Sequence, residues 1–149
     1  MYQKILAPLD GSELAECALG HVRMVATGCQ VPEVILLTAI EPIRQSFSLS
    51  EELLRDIKAR NQDSAEDYVA KVANDLKKDN IAAKTVIVSG DPTDTILDYI
   101  KQNQVDLVIM SSHGRSGVTR WAFGSVADRV LRHSTAPVLI ASPAACRIG

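Results

Sequence analysis

An open α/β fold, a parallel five-stranded sheet with helices on both faces, is what this sequence of 149 residues predicts. Three observations carry that prediction. Short apolar runs alternate with segments of helical periodicity along the whole chain, the order that builds a parallel sheet through crossover connections. Some of the runs are apolar on nearly every residue, as in strands covered on both faces. Gly, Asp, Ser and Pro gather just behind them, where each helix must start. The length suits a single domain, residues 1–149, whose core needs no staples.

The first strand falls within residues 2–9 and ends at Pro8, with Asp10-Gly11-Ser12 behind it as turn and helix start. Leu14, Ala15, Ala18, Leu19, Val22 and Ala26 then recur at helical spacing to about residue 27, with Asp10 or Ser12 able to accept the first backbone amides. Residues 34–40 form a nearly continuous apolar strand. A polar loop over 41–50 is expected to be mobile, and a long amphipathic helix follows through Leu54, Ile57, Ala65, Tyr68, Val69, Val72 and Leu76. The third strand is residues 83–88. Asp91 as N-cap, Pro92 at the first helical position and Asp94 reaching back as in a capping box start the next helix, through Ile96, Leu97 and Ile100. Residues 105–110 make the fourth strand, Val126, Ala127, Val130 and Leu131 mark the last helix, and residues 136–141 the fifth strand.

With 16 Lys and Arg against 18 Asp and Glu, the net charge of -2 excludes broad attraction to nucleic acid or to an anionic membrane. Any anion site must be local. Between His113 and His133 four arginines (Arg115, Arg120, Arg129, Arg132) face one acid, Asp128. The N-terminus lacks a signal peptide's apolar core and no run reaches membrane-spanning length, so a cytoplasmic protein is expected. Cys17, Cys29 and Cys146, odd in number and widely spaced, read as ordinary thiols.

In such sheets ligands bind beyond the carboxyl ends of the strands, where the strand order reverses. Those ends are residues 7–10, 39–42, 89–92 and 110–117. The last contains Ser111-Ser112-His113-Gly114-Arg115-Ser116-Gly117, and Gly124-Ser125 opens a helix shortly after. Glycines admit close approach of an oxyanion, and a helix start offers free amides and a favourable dipole, so the arrangement suits phosphate. Alternatively, Gly114 and Gly117 serve turns and Ser125 caps the helix. Neither a P-loop nor a Gly-x-Gly-x-x-Gly after the first strand is present. Ser116 lacks the glycine two places on that a nucleophile elbow requires, which excludes a hydrolase triad of that kind. His113 reads as a solvated loop residue able to act as donor or acid.

The chain resembles the ATP-binding branch of the universal stress proteins. That branch carries Gly-x-x-Gly, nine residues, then Gly-Ser/Thr; here Ser111-x-x-Gly114, nine residues, then Gly124-Ser125 stand in its place. The resemblance extends to Pro8-Leu9-Asp10-Gly11-Ser12, Gly90-Asp91-Pro92, Ser112-His113-Gly114-Arg115, Gly124-Ser125-Val126-Ala127 and Ala136-Pro137-Val138-Leu139-Ile140. It implies a Rossmann-like fold of the adenine nucleotide α-hydrolase type. Carried over by residue, Pro8, Leu9 and Asp10 border the adenosine, with Asp10 at the ribose hydroxyls. Ala39 lies against adenine, Met110 and Ser111 line the floor, and Gly114, Gly124, Ser125 and Val126 hold the phosphates. His113 and Arg115 or Arg120 lie close by. The alternative readings are that Asp10 only caps its helix and that Ala39 and Met110 are plain core. Ser111 replaces the first glycine, and its Cβ would oppose a positive φ if the site needed one. Trp121 and Phe123 read as packing residues.

Val138-Leu139-Ile140 would leave an apolar edge in a monomer. The family pairs this strand with its two-fold mate, which implies a homodimer. Three functions are then compatible with the residues. The first is a regulatory, stress-response protein that binds ATP, with Mg²⁺ held through the phosphates, and turns it over little or not at all. The second is a dimeric interaction module without nucleotide, and the third a slow ATP hydrolase with Asp10 or His113 as base.

Overall fold

The computed structural model describes residues 1–44, 49–114, 123–142, 144 and 146. The chain runs β1 (Lys4–Pro8), α1 (Glu13–Glu16), α2 (Leu19–Gly28), β2 (Glu33–Ile40), α3 (Glu51–Lys78), β3 (Ala83–Ser89), α4 (Pro92–Gln102), β4 (Leu107–Ser111), α5 (Ser125–His133) and β5 (Val138–Ala141). The five strands form one sheet in the order β3-β2-β1-β4-β5, with every neighbouring pair parallel. The order reverses between β1 and β4, so the switch point lies beyond Pro8 and Ser111.

Alternation along the strands sorts the core into two layers. Ile5, Ala7, Val34, Leu36, Leu107 and Ile109 face α1, α2 and α3, where Ala15, Ala18, Leu19, Val22, Val72 and Leu76 meet them. Leu6, Ile35, Leu37, Val108 and Met110 face the other way, onto Ile96 and Ile100 of α4 and Ala127 and Val130 of α5. Helices thus cover both faces, as the apolar runs predict. Among the described residues no helix is long and apolar enough to cross a membrane.

Three details differ from the sequence expectation. The first helical segment is two helices, because Cys17, Ala18 and Leu19 are all buried. An uninterrupted α-helix spreads three consecutive side chains over more than half its circumference. Here the amides of Cys17 and Ala18 reach back only three residues, to Leu14 and Ala15 (3.2 and 3.3 Å), and the tightened turn brings all three inward. Second, Cys17 and Cys146 are not ordinary thiols but a disulfide, leaving Cys29 as the free cysteine among the described residues. A pairing between positions this far apart in sequence has no local signal. Third, the capping box at α4 is half made. Asp91 accepts from the amide of Asp94 at 3.0 Å, while the Asp94 carboxylate lies 3.8 Å from Arg129 of α5.

Candidate functional site

A cavity of about 410 Å³ opens over the switch point. Its walls come from the end of β1 (Pro8, Leu9, Asp10), the end of β2 (Leu37, Ala39, Glu41) and the segment after β4 (Ser111 to Gly114). Helix starts complete it: Ala15 of α1, Pro92 and Ile96 of α4, and Ser125, Val126 and Ala127 of α5. The elements contribute different chemistry: Leu37 and Ala39 of β2 and Pro92 and Ile96 of α4 are apolar, with Glu41 just past the end of β2, whereas the segment after β4 and the start of α5 bring serines, a histidine and a helix N-terminus.

The start of α5 is the distinctive feature. Its N-cap is Gly124, and among the described residues no side chain caps it. Ser125 stands at the first helical position, not at the cap, so the reading in which it only caps the helix does not hold. Gly124 is required by close approach: its amide donates to the Ser112 carbonyl at 2.7 Å. A Cβ built on it would lie 3.0 Å from that same oxygen and 3.5 Å from Cα of His113. The Gly124 backbone is therefore pressed against the loop after β4, with the amides that follow it at the cavity wall. An uncapped helix start of this kind offers N–H donors and a partial positive charge to an anion.

Opposite it stands Asp10. Its Oδ1 accepts from the backbone amide of Ser12 at 2.9 Å and from the Ser12 hydroxyl at 2.5 Å. Ser12 in turn caps α1 by accepting from Ala15 at 3.1 Å. Asp10 thus organises the turn but leaves the capping bond to Ser12. Its Oδ2 is turned toward Gly114, so close that a Cβ there would collide with it. A larger residue at Gly114 would have to displace the Asp10 carboxylate that organises the turn. Behind the turn, burial and the carboxylates of Glu16 and Asp10 push the Tyr68 phenol well above its ordinary range, keeping it neutral.

Ser111 is the last residue of β4 and pairs with Ala141 of β5. It is extended, and the described non-glycine residues with positive φ are Gln30, Asn80 and Gln104. The backbone at position 111 therefore asks nothing that only glycine can supply. His113 is 9% exposed, with Nδ1 2.9 Å from the Ser112 hydroxyl. This corrects the expectation of a solvated loop residue: His113 lies two residues past the fully buried strand β4, against the Ser112 side chain. Met110 is buried among the side chains facing α4 and α5 and does not line the cavity. Phe123, expected to pack onto the domain or a partner subunit, is 48% exposed in the single chain. Arg115, Ser116, Gly117, Arg120, Trp121 and Pro143 lie outside the described residues.

Of the residues proposed from sequence, Pro8, Leu9, Asp10, Ala39, Ser111, His113, Gly114, Ser125 and Val126 share the cavity wall. Gly124 adjoins it through Ser112. Not singled out as ligand residues were Leu37, Glu41, Pro92, Ile96, Ala15 and Ala127. Glu41 and Pro92 do fall in the strand-end segments, where their position was the available signal. The other four look like core in any periodicity.

The sequence profile of the universal stress protein family matches residues 1–142. Universal stress protein MJ0577 of Methanocaldococcus jannaschii is 34% identical, over 94% of each chain. A solved structure of MJ0577 superposes with a TM-score of 0.85, covering 95% of this chain and 96% of that one. The universal stress protein UspA from Lactobacillus plantarum is 25% identical with a TM-score of 0.84, covering 94% and 97%. Two more distant structures share the fold. One is an Arabidopsis thaliana family protein with AMP bound, 16% identical, TM-score 0.69, covering 94% and 91%. The other is a universal stress protein in complex with cAMP, 22% identical, TM-score 0.70, covering 93% and 96%. On its sequence, its sheet order and these likenesses, the chain belongs to the universal stress protein family.

Proposed function

We propose that this chain is a cytoplasmic regulatory protein that binds ATP in the switch-point cavity, with little or no turnover. The carrying observation is the start of α5, which among the described residues no side chain caps and which opens on a cavity whose β2 and α4 residues are largely apolar. An adenine nucleotide has that same division: a flat ring at one end, anionic oxygens at the other. Leu37, Ala39, Pro92 and Ile96 would take the base, and Asp10 the ribose hydroxyls. Ser111, with Pro8 and Leu9, would form the floor. Gly114, Gly124, Ser125 and Val126 would receive the phosphates, with His113 and Arg115 beside them. Mg²⁺ would enter on the phosphate oxygens, since among the described residues no group of three His, Cys, Asp or Glu gathers to hold a metal. That AMP and cAMP accompany two relatives of the same fold supports the adenine reading.

The second element of the proposal is a homodimer. β5 is the terminal strand of the sheet, bonded to β4 on one side, and Val138, Leu139 and Ile140 remain partly exposed. A two-fold mate would cover that edge.

The test is to denature purified protein, identify any released nucleotide by mass spectrometry, and titrate the stripped protein with Mg-ATP by calorimetry. Stoichiometric adenine nucleotide, or saturable binding lost in Gly124→Val, is the expected result. A folded protein with neither nucleotide nor heat would overturn the reading and leave the interaction module. Sedimentation of the same sample tests the dimer.

A further inference from the structure

The disulfide between Cys17 and Cys146 joins positions 129 apart in sequence, and its two ends belong to opposite sides of the cavity's frame. Cys17 closes α1 and is 4% exposed. That short helix gives Ala15 to the cavity wall, and its cap, Ser12, is held by Asp10. Cys146 is partly exposed and follows β5. The last residue of β5, Ala141, accepts from the amide of Ser112 at 2.9 Å and pairs with Ser111. The bond therefore closes a bracket from the Asp10 turn, through α1, to the strand end beside Ser111 and Ser112.

We propose that Cys17–Cys146 is a reversible redox site, a tether whose thiol state sets how firmly α1 and the Asp10 turn are held against the end of the sheet. The proposal goes beyond the nucleotide reading and does not depend on it. The chemistry is thiol–disulfide exchange. A thiolate of a small dithiol attacks Sγ of Cys146, the more exposed residue of the pair, and the S–S bond breaks. Cys17 leaves as thiolate and takes a proton. The reagent's second thiol then displaces Cys146 from the mixed disulfide. The protein has gained two electrons and two protons, and the dithiol has become a disulfide; a small-molecule disulfide such as oxidised glutathione reverses the exchange. The reduced state is provided for: Sγ of Cys17 lies 3.6 Å from the Glu13 carbonyl, an acceptor for its thiol hydrogen. α1 itself is four residues long, too short to hold its place without tertiary support.

The full chain, treated with oxidised glutathione or with dithiothreitol, is alkylated under denaturing conditions and weighed. With three cysteines in the sequence, one reactive thiol is expected in the oxidised sample and three in the reduced one. Hydrogen exchange on the same samples should show residues 10–17 exchanging about tenfold faster after reduction, with β1 and β2 unchanged. Cys146→Ser should exchange like the reduced protein and ignore dithiothreitol, while Cys29→Ser keeps the response. Three thiols after oxidation, or equal exchange in the two states, would overturn the proposal. So would loss of protection across β1 and β2, which would make the bond a staple of the whole fold.

Discussion

Two helices begin beside the same cavity and treat their first amides in opposite ways. α4 is capped: Asp91 accepts from the amide of Asp94, and Pro92 at the first position has no amide to satisfy. α5 starts at Gly124, which has no side chain to offer, and its first turn forms the cavity wall. A capped start is finished and needs nothing from outside. An uncapped one, held by a backbone contact that any larger residue would have to push apart, keeps its donors for a ligand. The difference separates a helix start satisfied within the fold from one left open to the proposed ligand.

Giving α5 the cap that α4 has should have the largest effect. Gly124→Asp would press a Cβ toward the Ser112 carbonyl, 3.0 Å away, and put a carboxylate on the amides meant for phosphate. Losing charge-assisted bonds there should cost about 3 kcal/mol, a loss of Mg-ATP affinity of roughly 100-fold by calorimetry. Retained affinity would place the phosphates elsewhere. The converse change, Asp91→Ala, removes the α4 cap. It should lower stability by about 1 kcal/mol, near 3 °C in Tm, and leave ATP affinity within about twofold. Between the two helix starts lies Ser111. Because it is already extended, Ser111→Gly should not improve affinity, and glycine in the strand should cost about 0.5 kcal/mol in chemical denaturation.

α1 supplies the smallest effect. Its start is capped by Ser12, but Glu16 in the same turn is partly buried. Burial raises its pKa above the ordinary 4.5; Glu13 and Asp75 add to the rise, and Lys71 opposes it. A carboxyl raised on folding gives stability that is present below pH 4.5 and lost as pH rises through its folded value. Glu16→Gln should therefore raise Tm slightly at pH 7, a gain that disappears as pH falls below 4.5, read by thermal melts across that range.

The sheet and its helices were legible because burial on both faces writes itself as apolar runs, and because Asp91-Pro92 and Gly124-Ser125 punctuate helix starts locally. The strand ends shift by a residue or two where turns take over: Val105, read as strand, instead closes the turn after α4 by donating to the Ile100 carbonyl at 3.3 Å. What the sequence hides depends on contacts across the fold. Leu37 and Ile96 line the cavity, yet nothing in their spacing separates them from Leu36 or Ile100. Met110 and Ser111 are neighbours with opposite fates because consecutive strand residues point to opposite faces. His113 is buried although it stands just past a strand end, and Cys17 meets Cys146 only when the sheet is assembled.

The central claim, that α5 offers its first amides to phosphate, is tested most directly by amide chemical shifts of labelled protein during titration with Mg-ATP. Saturable shifts centred on Ser125, Val126 and Ala127, with the amides of Thr93 and Asp94 in α4 nearly still, are the predicted result. Binding that leaves residues 125–127 unmoved would contradict it.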